Sequence, residues 1–224
     1  MRNKEVAVTT RRERYREETR DEVKRIALGQ LAEHGPEGIS VNAIAKRMGV
    51  TGPALYRYFK GRDALLDALI RDAWADLGTA VETDADASRH RPTADRVLSF
   101  GAAFRDWALA QPHRYLLLFG TPVPGYHAPP DTIAAAHRTM SAFIAVLRDG
   151  VQDGGVRPAG LDEQLMGWAD ARGEDEVPAA VLLTAVRAFT RLHGVLSLEV
   201  TGQFGPVGVD PALLYRAELE SLLT

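Results

Sequence analysis

From Glu17 onward the apolar residues Val23, Ile26, Ala27, Leu28 and Leu31 recur three and four apart, the period of a helix with one buried stripe. The pattern stops at His34-Gly35-Pro36, where glycine accepts a left-handed cap and proline cannot continue the helix. Ser40 then stands as the N-cap of a short helix predicted over 41–48 and closed by Gly49. Thr51 opens a third helix, 52–58, with Pro53 in its first turn, where a missing N–H costs little. A fourth begins near Gly61 and carries Leu65, Leu66, Leu69, Ile70, Trp74 and Leu77 on one side as far as about Val81.

The polar stretch TDADASRHRPT (83–93) reads as a loop. Beyond it, helices are predicted over 94–110, 113–119, 131–153, 161–172, 178–201 and 210–223. Gln111-Pro112, the Pro/Gly-rich segment 120–130, Gly154-Gly155, Gly173 and GQFGPVG (202–208) punctuate them. No β-branched run alternates with polar residues, so the fold class is all-α. The expected organisation is an arm at 1–16, a three-helix domain at 17–60, a connecting helix at 61–82 and a helical C-terminal domain at 94–224.

Composition adds little until it is divided along the chain. The net charge is -3, yet residues 1–62 hold 14 Lys+Arg against 8 Asp+Glu, and the rest hold 13 against 22. A polyanion would be drawn to the first segment and repelled by the second, although a solvated basic arm gives the same imbalance. The absence of cysteine removes disulfides, thiolate metal sites and thiol nucleophiles, which fits a reducing compartment. No stretch of 18 apolar residues occurs, and the first 20 residues lack the apolar core of a signal peptide. A cytoplasmic, nucleoid-associated protein with no membrane partner is expected.

Candidate chemistry concentrates in SVNAIAKRMGVTGPALYRYFK (40–60). Ile44, Ala45 and Met48 supply the inner face of the first short helix, Gly49 takes the positive φ of the turn, and Val50 is expected to tuck that turn into the core. Leu55 and Phe59 give the second helix a buried side, leaving Thr51, Gly52, Pro53, Ala54, Tyr56 and Arg57 outward. That outward set suits a DNA major groove. Thr51 can donate to a phosphate or a base edge, Pro53 and Ala54 can touch a thymine methyl, and Tyr56, Tyr58 and Lys60 lie at backbone distance. Arg57 can pair with guanine or hold a phosphate. The leader Arg11-Arg12-Glu13-Arg14-Tyr15-Arg16 is either a flexible arm for an adjacent minor groove or a solubilising tail.

Residues 17–77 resemble the N-terminal domain of the tetracycline-repressor (TetR) family of bacterial regulators. The likeness rests on Ile26-Ala27, Leu31, the Gly35/Gly38 turn, Ser40, Val41, Ile44-Ala45, Met48-Gly49-Val50, Leu55-Tyr56, Tyr58-Phe59-Lys60 and Leu65-Leu66. The resemblance implies a homodimer whose recognition helices enter successive major grooves of a pseudo-palindromic operator in double-stranded DNA. It implies phosphate contacts from Ser40, Thr51, Tyr56 and Lys60, and base contacts from Thr51, Gly52, Pro53, Ala54 and Arg57. It also implies a helical C-terminal domain that dimerises and binds an effector, most simply in a repressor that the effector releases from DNA. Trp107, Tyr115, Phe119-Gly120-Thr121-Pro122 and Pro124-Gly125-Tyr126 resemble one subgroup of the family, whose Trp-x-x-x-His-Gly signature reads Phe189-Thr-Arg-Leu-His193-Gly194 in this chain.

Phe104, Trp107, Tyr115, Phe119, Met140, Phe143, Met166, Trp168 and Phe189 are candidates for the lining of an effector pocket, with Arg187 and His193 as polar orienters. The same stripe at helical spacing also suits a plain core. An apolar lining would favour a small hydrophobic molecule, of unspecified identity. Helices 178–201 and 210–223 are apolar on more than one face, which predicts pairing with their symmetry mates, the alternative being burial entirely within one subunit. No His pair has metal-ligand spacing, Ser99, Ser141 and Ser197 lack a nucleophile-elbow setting, and no phosphate loop occurs, so no enzyme, metal or cofactor is expected. The alternative to a ligand-released repressor is a regulator whose C-terminal domain only dimerises.

Overall fold

The computed structural model describes residues 10–121, 125–151, 157–174 and 176–222, and among them it contains ten α-helices, two single-turn 3-10 segments and no strand. The chain divides into two compact units, Met1–Ile70 with Pro122–His127, and Arg71–Thr121 with Ala128–Thr224.

The first unit starts with α1, Arg11–His34. Thr10 and Glu13 form a capping box: the Glu13 N–H donates to Thr10 Oγ1 at 3.3 Å, and the Thr10 N–H donates to Glu13 Oε2 at 2.8 Å. The Thr10 N–H and the Thr10 hydroxyl, both donating to Glu13 Oε2, hold the carboxyl below the usual carboxylate range. The helix therefore begins six residues before Glu17, and Arg11–Arg16 form part of it rather than a flexible leader. Sequence periodicity missed these turns because their residues face solvent; the first buried residue is Val23.

After a 3-10 turn at Pro36–Gly38 come α2, Val41–Arg47, α3, Gly52–Tyr56, and α4, Arg62–Ser88. Val23, Ile26, Ala27 and Leu31 of α1 are buried in this unit, as are Ile44 and Ala45 of α2, Leu55 and Phe59 around α3, and Leu65, Leu66 and Leu69 of α4. Tyr126, in the returning segment, donates to Asp67 Oδ1 at 2.7 Å. α4 outruns its expected end by two turns, through residues read as a loop. Val81 and Ser88 are buried, Ser99 bonds Asp84 at 2.7 Å, and no proline interrupts the chain before Pro92. Packing and one side-chain bond outweigh the modest helix propensity of Thr83, Asp84 and Asp86.

The second unit adds α5 (Thr93–Ala110), α6 (Pro112–Phe119), α7 (Pro130–Leu147), α8 (Leu161–Asp170), α9 (Ala179–Val200) and α10 (Pro211–Glu220). Here α9 is central, touching α5, α7, α8 and α10. It is long enough, and at a mean hydropathy of 1.3 over 18 residues apolar enough, to pass as a membrane span by composition alone, a test that the core helix of a globular domain also meets. Glycine matters at one crossing: a Cβ on Gly101 of α5 would lie 2.5 Å from a methyl of Leu219 on α10. Tyr215 of α10 closes that contact by donating to the Gly101 carbonyl at 3.0 Å. α7 ends at Leu147, short of the expected 153, in a turn through Arg148-Asp149-Gly150; residues 152 and 153 lie outside the described set. α10 likewise ends three residues early, at Glu220, and residue 223 lies outside the described set.

Candidate nucleic-acid interface and ligand cavity

The turn between α2 and α3 is set by Gly49, whose φ of +68° lets the Val50 N–H reach back to the Ala45 carbonyl at 3.0 Å. Val50 itself stays 40% exposed, so it does not tuck into the core as the sequence suggested. Its backbone N–H closes the turn and its side chain is left outside. Leu55 and Phe59 are buried as expected, at 1% and 2% exposure, and they fix which side of α3 faces outward. Thr51, Pro53, Tyr56 and Arg57 are exposed there, with Gly52 and Ala54 half-buried between them. A Cβ on Gly52 would meet Asn42 Oδ1 at 3.2 Å, so α2 and α3 approach closely at this point. Thr51 makes no side-chain capping bond, which leaves its hydroxyl available to a partner.

Ser40 and Lys60 frame this face, and both are exposed. The Ser40 hydroxyl accepts the Ala43 N–H at 3.3 Å, and its own N–H donates to Gln30 Oε1 at 3.0 Å, so α2 is pinned at its start. Arg57 and Lys60 have no ion-pair partner among the described residues. Uncompensated cations on an exposed face suit a phosphate backbone. Three contributors escaped the sequence reading. Lys46 and Arg47 add exposed positive charge in the last turn of α2, signalled only by their position before Gly49. Arg20 of α1 donates to the Tyr58 carbonyl at 2.8 Å and lays its guanidinium 4.5 Å from the Phe59 ring centre, holding the end of α3 from below.

Arg11–Arg16 are exposed along α1. Held in a helix about 10 Å across, they do not form the flexible leader that would thread a minor groove about 6 Å wide.

In the second unit a cavity opens among α4, α5, α6, α7 and α9, enclosing about 70 Å³, or about 530 Å³ with its open mouth. Of the expected lining, Phe104, Phe119, Met140, Phe143 and Phe189 are there. Trp74, Phe100, Gly101, Ala136, Thr139 and Leu192 complete it and were not foreseen. Trp74 stands edge-on to Phe119 with ring centres 5.2 Å apart, and Phe100 lies 4.8 Å from Phe143.

The remaining candidates lie elsewhere. Trp107 is buried, with its indole N–H donating to Asp76 Oδ2 at 3.1 Å. Tyr115 is fully buried and its hydroxyl pairs with His193 Nδ1 at 2.8 Å, so each satisfies the other. Burial holds the His193 imidazole below its ordinary pKa and pushes the Tyr115 phenol well above its own. Trp168 stacks under Arg172, 4.5 Å from guanidinium to ring centre. Arg187 is exposed on α9, and Met166 is 52% exposed on α8. Arg187 therefore does not orient a ligand in this cavity, because the inward turns of α9 are taken by Ala185, Ala188 and Leu192. Outside the cavity, Leu198 of α9 and Leu213 of α10 leave apolar surface uncovered, Leu213 at 68% exposure.

Comparison with known proteins matches both parts of this architecture. Residues 26–69 match the model described as "Bacterial regulatory proteins, tetR family", and residues 97–222 match "Tetracyclin repressor-like, C-terminal domain". HTH-type transcriptional regulator Rv1816 of Mycobacterium tuberculosis is 36% identical over 215 residues, covering 90% of each chain. Tetracycline repressor protein class C of Escherichia coli is 50% identical over 50 residues, 22% of this chain and 23% of that one. The crystal structure of SCO4313 superposes with a TM-score of 0.81 at 43% identity, covering 96% of this chain and 99% of that one. With a helix-turn-helix carrying an exposed polar face and family matches over both units, the chain belongs to the TetR family of transcriptional regulators, DNA-binding proteins and not enzymes.

Proposed function

We propose that the chain is a cytoplasmic repressor that binds a pseudo-palindromic operator as a homodimer and leaves it when a small apolar molecule occupies the cavity. The observation that carries this reading is the composition of α4. Its Leu65 and Leu66 are buried in the unit that holds α3, and its Trp74 forms part of the cavity wall. A ligand that displaces Trp74 therefore acts on the same helix that helps seat the DNA-reading unit. Thr51, Gly52, Pro53, Ala54 and Arg57 read bases, and Ser40, Thr51, Tyr56 and Lys60 hold phosphates. The uncovered Phe189, Leu198 and Leu213 support self-association through α9 and α10, since a two-fold protein interface matches a two-fold operator.

The test is a gel shift on the intergenic DNA upstream of the coding sequence, with footprinting, repeated with a panel of hydrophobic metabolites. Protection of two successive major grooves, relieved by one panel member, is the expected result. Protection that no apolar compound relieves favours the second reading, a regulator whose C-terminal domain only dimerises. The enclosed volume of about 70 Å³ speaks for that second reading, because drug-sized ligands occupy pockets of roughly 300–1,000 Å³.

A further inference from the structure

We propose that Thr139 is the polar anchor of the cavity, and that the cavity takes a neutral, mostly apolar ring compound with a single hydrogen-bonding oxygen. The proposal rests on reading the cavity as a ligand site and adds the class of ligand to it.

The first observation is an anomaly among the threonines. In a helix a threonine hydroxyl ordinarily donates to the carbonyl one turn back. Thr19, Thr79 and Thr184 all do so here, donating to Tyr15, Ala75 and Ala180 at 2.8–2.9 Å. Thr139, within α7, does not: its Oγ1 is buried and has no hydrogen-bond partner among the described residues. Asp84 Oδ2 and Arg96 Nε are also buried without partners, but each belongs to a group whose other atoms are engaged, by Ser99 and Asp149. A hydroxyl has one polar atom, so the hydrogen-bonding capacity of Thr139 is wholly unmet. Such an orphan costs folding free energy unless something else completes it.

The second observation is where the orphan stands. Thr139 lines the cavity, and its Oγ1 lies 4.0 Å from the place a Cβ would take on Gly78, one turn along α4 from the wall residue Trp74. Apart from Thr139, the lining residues with side-chain hydrogen-bonding atoms are Trp74, whose indole N–H can only donate, and Met140, whose thioether sulfur is a weak acceptor. The hydroxyl can donate to a ketone or ester oxygen and accept from an alcohol.

The third observation excludes ions. Among the described residues no charged side chain lines the cavity. Nearby, the Arg138 guanidinium is bound to Glu82 and the His193 Nδ1 to Tyr115. A carboxylate or ammonium inside would lose its hydration with no countercharge to replace it. Phe100, Phe104, Phe119, Phe143, Phe189 and Trp74 instead present ring faces and edges, which favours a flat or cyclic hydrocarbon body.

The experiment measures calorimetric affinities of acetophenone, ethylbenzene and benzoate for the full chain without DNA, in the wild type, Thr139→Val and Thr139→Ser. Valine keeps the shape of threonine and removes the hydroxyl; serine keeps the hydroxyl. Circular dichroism melts of both variants establish that each is folded. The wild type should bind acetophenone and reject benzoate. Thr139→Val should weaken acetophenone roughly 3- to 10-fold, leave ethylbenzene unchanged or tighter, and Thr139→Ser should restore the ketone's affinity. The proposal is overturned by benzoate binding best, by equal effects of Thr139→Val on ketone and hydrocarbon, or by no binding of acetophenone up to its solubility. Because DNA is absent, ketone binding that leaves the operator complex intact would remove the ligand-release reading and leave the anchor standing.

Discussion

Arg20 offers a way to disable the DNA-reading helix without touching any residue on its outer face. Its guanidinium donates to the Tyr58 carbonyl at 2.8 Å and covers the Phe59 ring at 4.5 Å, so Arg20→Ala removes both contacts together. A hydrogen bond from a charged donor contributes about 1.5–3 kcal/mol, and a cation–π contact at a partly exposed site about 0.5–1 kcal/mol. Because Arg20 is only half-buried, the lower half of the combined range applies, about 2–3 kcal/mol. The tryptophans make the loss easy to localise, since Trp74, Trp107 and Trp168 all belong to the second unit. In urea, far-UV circular dichroism should show a transition moved down by about 1 M, while the tryptophan fluorescence transition stays in place. Arg20→Lys, which keeps the charge but loses the planar fork, should fall between the two. Operator affinity of Arg20→Ala should drop for every sequence alike, with no change in base preference. A circular dichroism midpoint equal to that of the wild type would refute the clasp.

Other perturbations separate the remaining roles. Lys60→Ala should lower the slope of log affinity against log salt by about 0.9 per protomer if its ammonium neutralises one phosphate, and an unchanged slope removes that assignment. Arg57→Ala should relax preference at one operator position if it reads a base, and otherwise weaken all sequences alike, as a binding-site selection would report. Gly101→Ala gains about 1 kcal/mol of helix propensity but forces Leu219 aside, at about 1–3 kcal/mol; net destabilisation in a thermal melt is expected. His193 titrates below the ordinary histidine value of 6.5 because burial disfavours the charged ring. The unfolded chain thus binds the proton first, and stability present above pH 6.5 should be lost as pH falls through the folded pKa. A melting series from pH 7.5 to about 5 checks this, and His193→Gln should flatten it.

The reading head was legible because local rules govern it. Gly49, the caps at Ser40 and Thr51, and the buried pair Leu55 and Phe59 are each fixed by neighbours within a few residues. Errors arose where long-range packing decides. The last two turns of α4 are built from residues such as Thr83 and Asp84, which look like loop until Ser99 and the second core claim them. Val50 looked apolar and therefore inside, yet its structural contribution is its N–H. Trp74 and Phe100 were visible as members of helical stripes, but nothing local announces that they meet across a cavity. Thr139 had no signal at all: nothing local announces that its hydroxyl, unlike those of Thr19, Thr79 and Thr184, goes without the bond to the preceding turn.

The first turns of α1 have a consequence for how the chain meets proteases. From Arg11 to Glu18 every residue is exposed, and the first buried side chain is Val23, so this stretch is helical through its capping box and local charge alone. Opening such a segment costs little of the global folding free energy. It also carries four cleavage points for a trypsin-like enzyme, Arg11, Arg12, Arg14 and Arg16, while Arg20 is held against Tyr58 and Phe59. Limited digestion should therefore trim the protein to a new end at Glu17 and pause there, giving a shortened chain with α3 intact and the basic extension gone.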